Sequence, residues 1–235
     1  MLEITALSLE YKISGTGKLI KPSKVIAGTV DLTKWESALV IDVSKAYIPS
    51  TFKLSKGQFN IDDVAILELK EILRLDENSD KVKKLELPKL INGAYSNYEN
   101  FTVMAGGFGA RYLHRLQDDD GNDIFNGYSL YELQVAKSKI VGNERCKMQG
   151  YGNIVKDSHI CVKVIETLRH AGPCIGDKGS PVILDNKTVV GVLSTYDVSC
   201  DTDAYPSIYT RVSSYLGFIE NVKSGNLSGV KTYEA

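Results

Sequence analysis

Short apolar runs alternate with turn residues along most of the chain. Residues 24–28, 37–43, 64–69, 101–105, 133–140, 182–184, 189–193 and 207–212 are rich in β-branched side chains and end near Gly, Asp, Asn or Pro. Runs of that length and make-up predict strands, and their regular spacing predicts a sandwich or barrel. One segment has another period. Tyr215, Phe218, Ile219 and Val222 fall at i, i+3, i+4 and i+7, the stripe of a helix over 213–222. Ser213 or Ser214 is placed to cap it. Beyond Gly225 the pattern fades into a polar tail. Residues 71–88 are charged without periodicity and predict a surface linker. The acids of the DDDGND run at 118–123 are consecutive, whereas a calcium loop needs them alternating, so this stretch reads as a solvated loop. No internal repeat is visible.

Composition narrows the class. A chain of 235 residues is one large domain or two small ones. Its net charge of −1 supplies no field toward nucleic acid or an anionic membrane. With 43% hydrophobic and 24% charged residues it has the balance of a folded protein. No stretch approaches the ~18 apolar residues of a membrane span. The first residues carry Glu3 where a secretion leader has its basic start, and no apolar stretch follows. The four cysteines, at 146, 161, 174 and 200, form no CxxC pair and lie near no histidine at zinc-ligand spacing, so no metal site is expected. An even count suits disulfides, and three pairings are open. Sequons at Asn100, Asn186 and Asn226 fit an exported chain.

The last third carries a specific pattern. Cys174-Ile175-Gly176-Asp177-Lys178-Gly179-Ser180-Pro181-Val182 leads to Val190-Gly191-Val192-Leu193-Ser194, then Cys200, then Tyr205-Pro206-Ser207-Ile208-Tyr209-Thr210-Arg211-Val212. This resembles the trypsin/chymotrypsin family of serine endopeptidases, whose nucleophile lies in C-x-G-D-S-G-G-P, or in G-D-S-G-S-P in arthropod chymotrypsin-like members. The family continues with G-x-x-S-W-G and P-G-V-Y-T-R-V. Upstream, Asp62-Asp63-Val64-Ala65-Ile66-Leu67-Glu68-Leu69 is similar to the N-D-I-A-L-L-x-L strand with the triad aspartate. Val103-Met104-Ala105-Gly106-Gly107-Phe108-Gly109 is similar to V-x-x-x-G-W-G. Residues 133–146 resemble the L-Q…I-V…C stretch.

The resemblance implies an all-β fold, two packed antiparallel barrels and a C-terminal helix, in a single domain over 1–223. Residues 1–75 would be a partial first barrel, 76–98 a linker, 99–212 the second barrel, 213–223 the helix and 224–235 a polar tail. Only 24 residues precede Val25, about half of what the family places there, so the first barrel is expected to lack its opening half. The resemblance also implies the bridges Cys146–Cys161 and Cys174–Cys200 and an extracellular location.

The family's mechanism needs a serine nucleophile, a histidine base, an aspartate that orients it, two backbone N–H donors and a side-chain pocket. Lys178 stands at the nucleophile position, and an acylated lysine would be a stable amide. Ser180, two residues on, reads as a small turn residue. No histidine precedes Asp63, and His114, His159 and His170 are expected on the surface. Asp63 is the vestigial triad aspartate. Gly176 and Lys178 hold the positions of the N–H donors. Asp177 is present, but no I-V-G-G start exists to pair with it. Gly172 and Pro173 lie at the pocket base, and Ser194, Thr195 and Tyr196 stand for S-W-G. A phenol at 196 and Ser207 in place of glycines predict an occluded pocket. The Lys178 ammonium is expected within about 4 Å of a carboxylate of Asp63 or Asp177.

The expectation is a non-catalytic homologue that acts by binding an unidentified protein or peptide, monomeric, with no cofactor, nucleic acid or membrane. The alternatives are a working chymotrypsin-like endopeptidase with an incomplete or variant sequence, and a secreted structural or antigenic protein.

Overall fold

The strand at the centre of this molecule, residues 188–195, is buried over nearly its whole length, because both of its faces are covered. The computed structural model describes residues 23–52, 61–75, 77, 80–90, 97–117, 123–129, 131–165, 172–197, 199–202 and 205–234. In chain order the strands are β1 (Lys24–Ala27), β2 (Leu39–Pro49), β3 (Ile66–Leu69), β4 (Thr102–Gly107), β5 (Ala110–Gln117), β6 (Asp123–Ser129), β7 (Gln134–Val141), β8 (His159–Val164), β9 (Pro181–Leu184), β10 (Thr188–Thr195), β11 (Ser207–Arg211) and β12 (Val230–Glu234). The α-helices are α1 (Asn143–Cys146) and α2 (Leu216–Lys223).

Six strands close a barrel in the order β10-β11-β8-β7-β4-β9, and β5 and β6 form a separate hairpin. Val103, Ile140, Ile160, Val162, Val182, Val190, Leu193 and Tyr209 fill the barrel interior. A register shift between Val189 and Gly191 adds one residue to β10, so Val189 and Val192, three apart, share one face and Val190 and Leu193 the other. Val189 and Val192 thereby leave the barrel and meet Tyr47, Ile66, Ile219 and Val222. Both faces of β10 are therefore buried, which is why it reads as an unbroken apolar run.

The second layer is a four-stranded antiparallel sheet. β2 is its long member and pairs with β1, β3 and β12. β3 takes one side of β2 at Val43–Tyr47. β1 pairs with Leu39–Asp42 and β12 with Lys45–Pro49. Since Lys45, Ala46 and Tyr47 already meet β3, β12 must lie on the opposite side of β2 from it. The bridges Cys146–Cys161 and Cys174–Cys200 are both closed, the pairing that the family resemblance implies.

Several expectations need correction. Residues 230–234 are not a polar tail: they form β12, anchored by Val230 against the core shared with Tyr47 and Val222. Their isolated pattern is weakly apolar, and pairing with β2 decides their state. The C-terminal helix begins as a 3-10 turn at Val212–Tyr215, and neither Ser213 nor Ser214 caps α2, whose N-cap is Tyr215 without a side-chain bond. Ser213 is buried instead. Residues 32–37 form a 3-10 turn capped by Asp31, so β2 starts at Leu39 and runs past Val43 to Pro49. The linker is not all surface. Leu85 and Leu87 pack onto the inter-sheet core, and Glu86 bridges Thr188. His159 is 1% exposed, not a surface side chain. His114 lies in β5 rather than in a loop. His170, residues 1–22 and most of the DDDGND run lie outside the described residues.

Candidate functional site

The 174–180 segment is two tight turns back to back. The N–H of Asp177 donates to the carbonyl of Cys174 at 3.0 Å, and that of Ser180 to the carbonyl of Asp177 at 2.9 Å. The third residue of each turn is a glycine at positive φ, Gly176 at 95° and Gly179 at 91°. A side chain there would be strained, so the G-D-K-G spacing follows from backbone geometry. The Gly179 N–H donates to the Leu193 carbonyl, and the Leu193 N–H donates to the Ser180 carbonyl, both at 2.9 Å. With the Cys174–Cys200 bridge, these bonds tie the loop to β10.

Asp177 locks the same loop from within. Its carboxylate accepts from the N–H of Gly109 at 2.7 Å and of Cys174 at 2.9 Å. Burial pushes its pKa up, and these two hydrogen bonds pull the other way. The carboxylate lies over glycine backbone. A Cβ on Gly107 would come 2.0 Å from its Oδ1, and one on Gly109 would come 2.4 Å from its Cγ. The sequence shows Gly107-Phe108-Gly109 as a motif; its role as a seat for Asp177 emerges only from the fold. The spacing of two glycines around one bulky residue was the available signal.

Asp63 is 3% exposed, between the four-stranded sheet and the barrel. Ser194 on β10 donates to its Oδ2 at 2.6 Å, and Thr210 on β11 donates to its backbone carbonyl at 2.7 Å. Ser194 was expected on a pocket wall, and its bond to Asp63 is an additional role. Next to it, Asp62 accepts from the Tyr215 hydroxyl at 2.7 Å.

The expected ion pair of Lys178 is not formed. Lys178 is half-buried, and among the described residues its ammonium has no carboxylate within 4.0 Å. Asp177 instead accepts from two backbone N–H groups, and Asp63 accepts from Ser194. The N–H groups of Gly176 and Lys178 likewise take no acceptor among the described residues.

The remaining site residues cluster beside this loop. Tyr196 is half-buried and packs against Ala110, Cys174 and Cys200. Gly172 is tight: a Cβ there would lie 2.9 Å from the Cys200 carbonyl oxygen. Pro173 and Thr195 are half-buried, and Ser207, 1% exposed, faces Val162 across β11 and β8. His159 is elsewhere, its Nδ1 accepting from the Lys156 N–H at 3.1 Å. Asn100, Asn186 and Asn226 are all exposed. A hollow of about 480 Å³ lined by Lys147, Asn153, Val155, Lys156, Asp157 and Ser158 lies away from the loop, as does one of about 240 Å³ between Leu39–Ile41 and Glu71–Glu77. No group of three or more metal-ligating side chains occurs among the described residues.

Known proteins give this geometry a family. The family model described as Trypsin matches residues 16–219. A curated relative, the trypsin of Phaedon cochleariae, is 30% identical over 194 residues, which cover 81% of this chain and 65% of that protein. The chain spans 39% of the length of two other curated relatives. Among solved structures, neuropsin, a serine protease of mouse brain, superposes with a TM-score of 0.66 at 21% identity, over 87% of this chain and 81% of its own. A scabies mite inactivated protease paralogue superposes with a TM-score of 0.60 at 21% identity, over 86% and 76%. At that identity the two structures establish the fold, and the family match extends over most of the sequence: this chain belongs to the trypsin family.

Proposed function

We propose that this chain is a non-catalytic serine-protease homologue that acts outside the cell by binding another protein or peptide. One observation carries the reading: Lys178 occupies the nucleophile position of the family motif, between Asp177 and Gly179. Acyl transfer to an amine ends in an amide, which has no easy second step, so a lysine here cannot turn over. The packing of Tyr196 against the Cys174–Cys200 bridge supports the same reading, since it fills space where the family has glycine. One structural neighbour is itself named an inactivated protease, so the fold is compatible with that fate. The retained contact of Ser194 with Asp63 and the two acceptor-free N–H groups favour a second reading, a working endopeptidase.

Incubation with peptide esters and amides between pH 6 and 9, together with a fluorophosphonate probe, separates the two. We expect no hydrolysis above buffer and no labelled serine. Labelling of one serine with multiple turnovers would establish the endopeptidase.

A further inference from the structure

We propose that the outer face of the barrel, where β4, β7 and β8 lie side by side, is a docking surface for an extended acidic segment of a partner protein. The proposal rests on the reading of this chain as a protein binder, and it says where the binding surface lies and what chemistry it takes.

Alternation along β7 sorts its side chains. Ser138 and Ile140 are buried, so Val135, Lys137 and Lys139 point the other way, and all three are exposed. On β8, Val162 and Val164 are buried, so Lys163 between them stands on that same outer face. The register then gathers the lysines into one patch. Lys139 lies opposite Lys163, and Met104 of β4 lies opposite Lys137. The N–H of Ile165 donates to the Lys137 carbonyl at 3.0 Å, which sets an exposed isoleucine beside the lysines.

Charge singles out this face. Like charges directly across two strands repel, so setting Lys139 against Lys163 does not help the fold. Lys137 and Lys139 have no carboxylate within 4.0 Å among the described residues. A carboxylate brought by a partner relieves the repulsion and meets cations that are not already neutralised. Val135, 53% exposed, adds apolar surface next to them.

Spacing selects the kind of partner. Lys137 and Lys139 are two residues apart on a strand, an interval of about 6.6 Å. Alternate side chains of an extended peptide repeat at the same interval, and Val135 continues the row by one step. An extended segment with carboxylates at i and i+2 and an apolar side chain at i+4 therefore matches Lys139, Lys137 and Val135 in turn. A broad anionic surface matches less well, because a chain of net charge −1 offers it no attraction beyond this patch.

The test uses the full chain, ¹⁵N-labelled, with the amide shifts of residues 135–139 and 163 as readout. Three probes are titrated: acetyl-Glu-Thr-Glu-Thr-Val-amide, the same peptide with both glutamates replaced by glutamine, and vesicles of phosphatidylcholine and phosphatidylserine. We expect saturable shifts across this face with the acidic peptide, weakened by added salt, and none with the glutamine peptide. The double variant Lys137→Gln/Lys139→Gln should weaken binding by about tenfold or more. It should keep the urea midpoint of the native chain, so that lost binding is not lost folding. Lys231→Gln, on β12, should leave binding unchanged. Equal shifts with the two peptides, undiminished binding by the double variant, or binding of the vesicles but not of the acidic peptide would overturn the proposal. Hydrolysis of a peptide ester would refute the non-catalytic reading alone, whereas absent peptide binding with absent hydrolysis would refute only this docking surface.

Discussion

Asp177 and the two glycines beneath it are packed without room for a single added methyl group. A methyl group on Gly109 would overlap the carboxylate that its own N–H holds. Gly109→Ala should therefore expel Asp177 and leave two buried N–H groups without their acceptor, at a cost of about 2 kcal/mol or more, read as a shifted urea midpoint. The same carboxylate has a pH signature. Its folded pKa is raised above the ordinary 3.8, chiefly by burial. Above both values it is ionised in both states, and burial of the charge weighs against the fold. As the pH falls through the raised folded value, the native state takes up the proton first, so this group adds stability down to the unfolded pKa. Relative to Asp177→Asn, the native chain should gain stability between neutral pH and about pH 4. A constant difference between the two urea midpoints over that range would refute this. On the proposed non-catalytic reading, Lys178→Ser should show no turnover, since the buried His159 accepts from the Lys156 N–H. Turnover by that variant would reveal another base.

At the scale of elements, the 174–200 bridge and the last strand are the parts whose removal should be felt locally. Replacing Cys174 and Cys200 by alanine opens a loop of 26 residues. The expected loss is roughly 3–4 kcal/mol by the loop-entropy model, with faster amide exchange at Gly176 and Gly179. Stopping the chain after Gly229 removes β12 and the contact of Val230 with the inter-sheet core. It should cost about 1–2 kcal/mol and expose the edge of β2, so light scattering should show slow self-association. The barrel was legible in its glycines and β-branched runs, whereas the bridge pairing came from the family resemblance, since the cysteine count alone left three pairings open. β12 was illegible for the opposite reason. Its residues, Val-Lys-Thr-Tyr-Glu, have only Val230 and Tyr233 half-buried, and a strand partner supplied by distant sequence settles their conformation. Ser213 misled in a similar way: a hydroxyl before an apolar stripe suggests a cap, yet the preceding strand β11 carries it into the interior.

Across the whole molecule, the site is built at the contact of two layers. Asp63 comes from beside β3 of the four-stranded sheet, while Ser194, Thr210 and the 174–180 loop belong to the barrel. The sequence named these residues through motif resemblance, but it held no statement of which donor each carboxylate would choose. That choice depends on distances: the carboxylates take backbone and hydroxyl donors, and the expected Lys178 ion pair is not formed among the described residues.

The placement of β12 also dictates an order of events in the making of the protein. β1 and β12 come from opposite ends of the described chain and share β2 as their partner. The barrel can close from residues that leave the ribosome before α2, whereas β2 keeps half of one edge bare until the last strand arrives. The first layer to be synthesised is thus completed only after the barrel that follows it in the chain.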